Sequence, residues 1–213
     1  MKIKIQYNHS LYVISNQELI GNRLLTTVIQ ETINGGATII QYREKRLSSK
    51  EMINQARQLR TITANAKIPL IINDRIDIAL EVHCDGVHVG QKDISAVEAR
   101  KMIGKNMILG VSASNVAQAK KAQDDEADYL GVGPIFPTST KIDVDPVVGL
   151  KGLADIKKAV SIPVIAIGGI NAKNAEQVAK IADGIAVVSA IMSAADPQQA
   201  TRELLSVILN SRK

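Results

Sequence analysis

Aromatic residues are scarce in this 213-residue chain, which has no Trp, one Phe and four Tyr. Its core must therefore be built mainly from aliphatic side chains. The shortage also argues against binding of single-stranded nucleic acid, in which bases stack on aromatic rings. The net charge of +5 comes from basic residues that are dispersed along the chain. We therefore expect anionic small-molecule substrates rather than a nucleic acid.

Cysteine and long hydrophobic runs are also scarce. Cys84 is the only cysteine, so no disulfide can form within the chain, and a reducing compartment is favoured. No apolar run reaches the roughly 20 residues of a membrane-spanning helix, and the N-terminus has no signal-peptide pattern. The sequence predicts a soluble cytoplasmic protein without a membrane partner. It leaves the oligomeric state open, and a homo-oligomer is compatible with it.

Short apolar strands alternate with segments of helical periodicity eight times along the chain. The predicted strands are residues 11–15, 38–42, 70–73, 86–89, 107–112, 129–132, 164–167 and 185–189. Near-continuous apolar strands are typical of a parallel sheet that is buried on both faces. Eight such units without a linker predict an α/β fold, a closed (β/α)8 TIM barrel that forms a single domain over residues 1–213. The alternative is an open doubly wound sheet, which normally has fewer strands.

Three predicted helix starts fit a capping box, in which a Ser and a Glu three residues later satisfy each other's backbone N–H groups. The pairs are Ser15 and Glu18, Ser48 and Glu51, and Ser95 and Glu98. Asp196-Pro197 predicts a further N-cap, followed by proline at the first helical position. Two segments lie outside the repeat: an N-terminal arm at residues 1–10, and a long connection at 132–150 that we predict to be an active-site loop.

The second strand leads into Gln41-Tyr42-Arg43-Glu44-Lys45. Alternation along a strand places Gln41, Arg43 and Lys45 on one face, toward the mouth of the barrel. Two cations this close would repel each other unless an anion lay between them, and a di- or polyphosphate would fit. The alternative is a solvated charged turn with a local Arg–Glu pair.

Carboxylates follow the third and fourth strands, as Asp74 after Asn73 and as Asp93 after Gly90-Gln91. Neighbouring strands lie about 4.8 Å apart, so Asp74 and Asp93 can both reach one hard cation. Mg2+ is usually held by one or two carboxylates together with water and substrate phosphates. The sequence therefore suggests Mg2+ as a cofactor, with helix capping by the two aspartates as the alternative.

A second anion site is indicated by the residues that follow the Gly/Pro turn at 133–137. Hydroxyls, backbone N–H groups and one ammonium converge there without an acidic residue. These residues are Thr138, Ser139, Thr140 and Lys141. Gly168-Gly169 and Val188-Ser189 end the seventh and eighth strands, whose loops commonly bind phosphate in this fold. The alternatives are a solvated surface turn and a tight strand-to-helix turn.

The remaining chemistry-bearing residues are interpreted as structural. His88, within the fourth strand, is expected to be a packed, hydrogen-bonded histidine, and nothing marks Cys84 as a nucleophile. The chain has no Ser–His–acid set, no paired-cysteine zinc pattern and no Rossmann glycine fingerprint. Two anion sites and one metal at a single mouth suggest two phosphorylated substrates, one of which loses a metal-complexed leaving group.

In combination, these motifs resemble those of thiamine phosphate synthases from about Leu11 to Leu205. The motifs are Gln41-x-Arg43-Glu44-Lys45, Asn73-Asp74, Gly90-Gln91-x-Asp93, Gly110-Val111-Ser112, Pro137-Thr138-x-Thr140-Lys141, Gly168-Gly169-Ile170 and Val188-Ser189-Ala190. Family membership would imply condensation of 4-amino-2-methyl-5-hydroxymethylpyrimidine diphosphate with 4-methyl-5-(2-hydroxyethyl)thiazole phosphate. The products would be thiamine monophosphate and pyrophosphate. The family's chemistry is thought to be dissociative, with a pyrimidine-stabilised cation trapped by the thiazole nitrogen.

The resemblance also implies roles for individual residues. The pyrimidine diphosphate would contact Gln41, Arg43, Lys45, Asn73, Ser112 and Lys141. Mg2+ would be held by Asp74 and Asp93. The thiazole phosphate would be held by Thr138, Ser139, Thr140, Gly169, Val188 and Ser189. Arg43, Ser112 and Lys141 are expected to assist catalysis by stabilising the leaving group electrostatically, since no strong general base is apparent.

Two other functions stay open. A thiazole tautomerase, or another phosphate-binding barrel isomerase, would share the fold. The tautomerase family resembles this chain but relies on a histidine where the chain has Ser114. Many synthases also carry that histidine, so Ser114 departs from both patterns, although the synthase reaction needs no proton shuttle there. A catalytically silent sensor of thiazole phosphate is disfavoured by the intact Asp74, Asp93 and Lys141.

Overall fold

A computed structural model describes residues 7–138 and 146–212 and contains a closed parallel barrel whose eight strands are neighbours in chain order. The strands are Leu11–Ile14 (β1), Ile39–Tyr42 (β2), Leu70–Asn73 (β3), Gly86–Val89 (β4), Ile108–Ala113 (β5), Tyr129–Val132 (β6), Val164–Ile167 (β7) and Gly184–Val187 (β8). All eight pairings are parallel, including that of β1 with β8. The predicted TIM barrel is confirmed, and the open doubly wound sheet is excluded.

The helices cover the outside of this barrel. They are Leu25–Asn34 (α1), Ser49–Ala66 (α2), Ile76–Glu81 (α3), Ala96–Ile103 (α4), Val116–Asp124 (α5), Gly149–Ala159 (α6), Ala175–Ala179 (α7), Ser189–Met192 (α8) and Pro197–Asn210 (α9). A short 3-10 turn, Gln17–Leu19, precedes α1. Within the described residues, none of the helices combines the length and the apolar character that crossing a membrane requires.

Alternation along the strands divides the buried side chains into two hydrophobic clusters. The inner cluster fills the barrel and contains Tyr12, Ile14, Ile39, Ile71, Ile108, Tyr129, Ile165 and Ala186. The larger outer cluster packs the opposite faces of the strands against the helices. The strands are therefore buried on both sides, which explains their near-continuous apolar sequences.

The helix caps follow the sequence prediction with one exception. The capping boxes of Ser48 and Ser95 are both confirmed, and the Asp196 side chain accepts a hydrogen bond from Gln199 N at the start of α9. The capping box predicted for Ser15 is wrong, because Asn16 caps the 3-10 turn instead. The Ser15 hydroxyl is used elsewhere, where it accepts a hydrogen bond from Arg43 N at 3.0 Å.

The N-terminal ends of the strands are joined in pairs by side chains. The residue before each even-numbered strand accepts a hydrogen bond from a backbone N–H near the start of the preceding strand. The acceptor and donor residues are Thr38 and Leu11, Asp85 and Leu70, Asp128 and Leu109, and Asp183 and Val164. Each of the three carboxylates also pairs with a cation, namely Arg60, Arg100 or Lys157. This end of the barrel is thus fixed by structural polar contacts, and the opposite rim is left to carry the candidate site.

Candidate active site

The end of β2 places Gln41 inside the barrel and the cations beyond it at the rim. Gln41 is buried, and its Nε2 donates a hydrogen bond to the Tyr12 hydroxyl at 2.9 Å. Ser15 holds the backbone of Arg43. Its hydroxyl accepts a hydrogen bond from the Arg43 N–H and donates one to the Arg43 carbonyl. Lys45 is about half exposed and forms an ion pair with Asp74. The segment that follows β2 is therefore tied to β1 on one side and to the end of β3 on the other.

Asp74 and Asp93 face each other across the ends of β3 and β4. Asp74 has a left-handed backbone, with φ of 59°, and its N–H donates to the carbonyl of His88 on β4. Burial and the adjoining Asp93 carboxylate raise the pKa of Asp74, against the opposing effect of the Lys45 ammonium. A carboxylate oxygen of Asp93 also accepts a hydrogen bond from Gly90 N at 2.8 Å. Two carboxylates in contact are a suitable place for a divalent cation, which would offset their repulsion.

Helix capping does not account for these two aspartates. The N-cap residue of α3 is Arg75, without a side-chain cap, and that of α4 is Ser95. Among the described residues, no group of three or more His, Cys, Asp or Glu side chains could hold a metal ion. A metal bound by Asp74 and Asp93 would therefore complete its coordination with water and substrate oxygens, as Mg2+ commonly does.

Asn73 and Ser112 extend this side of the rim across β3 and β5. Asn73 ends β3 and pairs in register with His88. The Ser112 hydroxyl lies 2.9 Å from His88 Nε2, and His88 Nδ1 lies 3.0 Å from the Tyr129 hydroxyl. The expectation of a packed, hydrogen-bonded His88 is confirmed. Its contact with Ser112 was not predicted.

The turn after β6 and the two glycines after β7 form one hydrogen-bonded unit. Ile135 N donates to the carbonyl of Ile167 at 2.9 Å, and Phe136 N donates to that of Gly168 at 3.0 Å. A Cβ on Gly169 would lie 2.7 Å from Pro137 O, and the φ of this glycine is +67°. Gly169 therefore allows a close approach of the two loops and a left-handed turn. The unit brings Gly169 beside Pro137 and hence near Thr138.

The end of β8 differs from its prediction. The strand stops at Val187, two residues earlier than expected, because Val188 leaves the extended conformation and precedes α8, which begins at Ser189. Since β8 neighbours β7 in the barrel, Val188 and Ser189 lie at the rim beside the unit formed by the β6 and β7 loops.

Part of the predicted site lies outside the described residues. Ser139, Thr140 and Lys141 fall there, as do the centre of the loop predicted at 132–150 and most of the N-terminal arm predicted at 1–10. The other eleven candidate residues are all described. They divide between two stretches of the rim, one at β2–β5 and the other at β6–β8.

Sequence reasoning overlooked the tyrosines that connect the site to the barrel interior. The Tyr12 and Tyr129 hydroxyls lie 2.8 Å apart, and both residues are buried. Burial raises the pKa of each above its ordinary value. Strand alternation could have placed both side chains inward, but their contact depends on the closure of the barrel.

The chain matches the thiamine monophosphate synthase family over residues 11–191. It is 52% identical over 199 residues to the thiamine-phosphate synthase of Chloroflexus aurantiacus, which covers 93% of this chain and 92% of that protein. It is 45% identical over 202 residues to the thiamine-phosphate synthase of Clostridium botulinum, with coverage of 94% and 98%.

Solved structures show the same likeness. The thiamine phosphate pyrophosphorylase from Pyrococcus furiosus superposes with a TM-score of 0.89 at 39% identity, covering 97% of this chain and 98% of that chain. The 3-hexulose-6-phosphate synthase from Salmonella typhimurium superposes with a TM-score of 0.72 at 18% identity, covering 95% and 99%. The second likeness shows the barrel fold alone.

Proposed function

Since the chain belongs to the thiamine monophosphate synthase family, whose members are transferases, we propose which substrates it joins and how. The substrates are 4-amino-2-methyl-5-hydroxymethylpyrimidine diphosphate and 4-methyl-5-(2-hydroxyethyl)thiazole phosphate, and the products are thiamine monophosphate and pyrophosphate. The observation that carries this proposal is the division of the rim. A cation- and carboxylate-bearing stretch at β2–β5 lies on the same rim as a glycine-lined stretch at β6–β8.

The diphosphate substrate is assigned to the first stretch. Arg43 and Lys45 supply positive charge, and Asn73 and Ser112 supply neutral hydrogen-bonding groups at neighbouring strand ends. Gln41 lies deeper in the barrel, where its amide can meet the pyrimidine ring. Asp74 and Asp93 would hold Mg2+, which when bound supplies charge neutralisation for the departing diphosphate.

The thiazole phosphate is assigned to the second stretch. Its binding residues are Thr138, Gly169, Val188 and Ser189, together with Ser139 and Thr140. The support is the joining of the β6 and β7 loops, which places Gly169 beside Pro137 and therefore near Thr138. A monophosphate needs no metal here, and the described residues that we assign to this stretch include no carboxylate.

Catalysis in this proposal is electrostatic. Arg43, Ser112 and Lys141 stabilise the negative charge that grows on the diphosphate as its bond to the pyrimidine methylene breaks. The thiazole, held beside it, then traps the pyrimidine cation through its ring nitrogen. No residue is assigned as a general base, since the trapping step transfers no proton.

The tautomerase alternative is disfavoured by the contacts of Ser114. Its hydroxyl and its backbone N–H both donate to Gln118 Oε1, at 3.0 and 2.8 Å, near the start of α5. A side chain held in this way is an N-terminal helix contact. It does not supply the histidine proton shuttle on which the tautomerase relies.

The decisive experiment is incubation of the purified protein with both substrates and Mg2+, followed by chromatography for thiamine monophosphate. We expect both thiamine monophosphate and pyrophosphate, and loss of both when either substrate is omitted or EDTA is added. Absence of product with both substrates and Mg2+ present would overturn the proposed reaction. Full activity in EDTA would remove the metal from it. The cytoplasmic location stays a prediction.

A further inference from the structure

A continuous chain of hydrogen bonds crosses the barrel interior from β2 to β5. Gln41 Nε2 contacts the Tyr12 hydroxyl at 2.9 Å, and that hydroxyl lies 2.8 Å from the Tyr129 hydroxyl. The Tyr129 hydroxyl lies 3.0 Å from His88 Nδ1, and His88 Nε2 lies 2.9 Å from the Ser112 hydroxyl. The chain thus ends on a residue that we assign to the departing diphosphate.

Two glycines of the barrel leave room for this chain of hydrogen bonds. A Cβ on Gly110 would overlap the Tyr129 ring and His88 Nδ1, and a Cβ on Gly131 would lie 2.8 Å from His88 Cε1. Glycines at these two inward positions, on β5 and β6, leave the space that the imidazole occupies. Ser112 is held a second time, because Gln91 Nε2 donates to its backbone carbonyl at 2.6 Å.

Counting protons fixes the direction of the chain. Gln41 Nε2 can only donate, so the Tyr12 oxygen accepts from it. Tyr12 has one proton, and a buried hydroxyl proton must be paired, so Tyr12 donates to Tyr129. The Tyr129 proton is then directed at His88 Nδ1. His88 must accept at Nδ1 and, as a neutral imidazole, carry its own proton on Nε2, which it donates to Ser112.

A protonated imidazole would disrupt this order. If His88 Nδ1 donated to Tyr129, the Tyr129 proton would turn to Tyr12. The Tyr12 proton would then face the Gln41 amide, which is itself a donor. Each buried group is paired only when the chain runs from Gln41 toward Ser112.

We propose that His88 is a positioning residue that makes the Ser112 hydroxyl a committed hydrogen-bond donor to the diphosphate. Because the Ser112 oxygen accepts from His88, its one proton is free to point at the rim. A hydroxyl held in this way favours an anion over a neutral or cationic group. The inference rests on the proposed function, since it takes the diphosphate as the group that Ser112 meets.

The test is a double-mutant cycle between His88 and Ser112, with inorganic pyrophosphate and Mg2+ as the calorimetric probe. We expect Ser112→Ala and His88→Asn each to weaken pyrophosphate binding about fivefold, a typical loss for one hydrogen bond. His88→Asn should cause no further loss in the Ser112→Ala background, since His88 acts through Ser112. Equal losses in both backgrounds would mean a general structural role and would overturn the inference.

Two further variants separate positioning from packing. His88→Gln, which keeps an amide near the position of Nε2, should restore most of the affinity lost in His88→Asn. Tyr129→Phe should weaken pyrophosphate binding about as much as His88→Asn does, and again only when Ser112 is present. Tyr42→Phe is the matched control, because its buried hydroxyl contacts Gln55 on the outer face of the barrel. A loss in Tyr42→Phe equal to that in Tyr129→Phe would contradict the proposal.

A spectroscopic test reads the wild-type protein directly, and a substitution serves only to assign the resonance. Long-range 1H–15N spectra of the wild type should show His88 as the neutral Nε2–H tautomer, with the resonance assigned through its absence in His88→Gln. The Nδ1–H tautomer or an imidazolium at neutral pH would overturn the inference. Turnover of the wild type tests the synthase reaction separately. A protein that lacks turnover but shows the coupled losses in pyrophosphate affinity would refute the reaction and retain the role of His88.

Discussion

At the scale of single residues, Asp74 combines a left-handed backbone with a carboxylate that is partly buried beside a second carboxylate. It adopts a left-handed φ of 59°, a conformation that Asp tolerates better than most side chains. Its pKa is raised by burial and by Asp93, so this carboxyl binds a proton more readily than an exposed aspartate does. A carboxyl whose pKa is raised by burial and by a second carboxylate is typical of functional positions. A cation bound between Asp74 and Asp93 would remove the repulsion between them.

The first prediction is that Asp93→Ala abolishes turnover without unfolding the protein. Loss of a metal ligand removes several kcal/mol of transition-state stabilisation, so we expect turnover to fall at least about 100-fold. The pKa of Asp74 should also fall toward its ordinary value, because its like-charged neighbour is gone. Steady-state assays with added Mg2+ and carboxyl NMR titration measure the two effects.

The control for this prediction is Asp155→Ala, which removes an exposed carboxylate from α6. It should retain wild-type turnover, and both variants should keep the wild-type circular dichroism spectrum. Full activity of Asp93→Ala with Mg2+ supplied would refute the metal assignment.

The second prediction concerns His9, at the N-terminal end of the barrel. Burial lowers the pKa of His9 from its ordinary value of 6.5, and Nδ1 is buried without a hydrogen-bond partner among the described residues. The contribution of neutral His9 to the free energy of unfolding is fully present above pH 6.5. It is lost as the pH falls toward the lowered pKa of the folded state. Replacement of His9 by Phe should therefore remove a pH-dependent loss of stability whose slope is at most about 1.4 kcal/mol per pH unit.

Urea unfolding of the wild type and of His9→Phe at pH 7.5 and pH 5.5 measures this effect. The difference in unfolding free energy between the two proteins should change between the two pH values, in favour of the variant at pH 5.5. An identical difference at both pH values would show that His9 does not contribute to the acid sensitivity.

At the scale of structural elements, side-chain hydrogen bonds between neighbouring strands hold the N-terminal ends of the barrel strands in place. Asp128 accepts from Leu109 N and from Arg100, whose side chain is only 7% exposed. Arg100 also donates to three backbone carbonyls, so that it joins α4 and the starts of β5 and β6. A buried guanidinium of this kind depends on its carboxylate partner.

The third prediction follows from this burial. Asp128→Ala should lower the free energy of unfolding by about 3 kcal/mol, because it leaves the Arg100 charge buried without its partner. The matched control is Asp125→Ala, in which the removed carboxylate is 17% exposed but its partner Lys121 is 72% exposed and stays solvated. That loss should be below about 1 kcal/mol. Equal losses in urea unfolding would contradict the importance of burial.

Secondary structure could be predicted well because the local signals agreed with one another. Apolar runs located β3, β4, β6 and β7 with their observed bounds, and Ser48 and Ser95 marked two helix starts. Other boundaries depended on tertiary structure. The helix α6, for example, begins at Gly149, although Gly disfavours helices. The Ser15 capping pattern was misleading, because the Ser15 hydroxyl bonds to the backbone of Arg43, just after β2.

At the scale of the whole molecule, the barrel could be predicted because its repeat is visible along the sequence. Parallel strands bring their carboxyl ends to one rim, so the proximity of Asp74 and Asp93 also followed from chain order. The chain of hydrogen bonds between Gln41 and Ser112 could not be predicted in this way. It requires residues from β1 and β6 to meet across the closed interior, a distance of 117 positions in sequence.

The barrel also makes the two proposed subsites separately testable, since they lie on different strands of one rim. Arg43→Ala should weaken binding of the pyrimidine diphosphate at least about tenfold, because it removes a charged hydrogen-bond donor. Its effect on the thiazole phosphate should be less than about twofold, since the glycine-lined stretch is built from β6–β8. Calorimetry with each ligand alone, in the presence of Mg2+, measures both affinities.

The converse variant is Gly169→Ala, in which the new methyl group would press on the β6 loop and strain a left-handed turn. It should weaken the thiazole phosphate several-fold and spare the pyrimidine diphosphate. If each variant weakens only its own ligand, the rim has two subsites. In a single shared anion pocket, both variants would lose affinity for both ligands. Parallel losses would therefore refute the two-subsite arrangement even if each variant were folded and each ligand still bound.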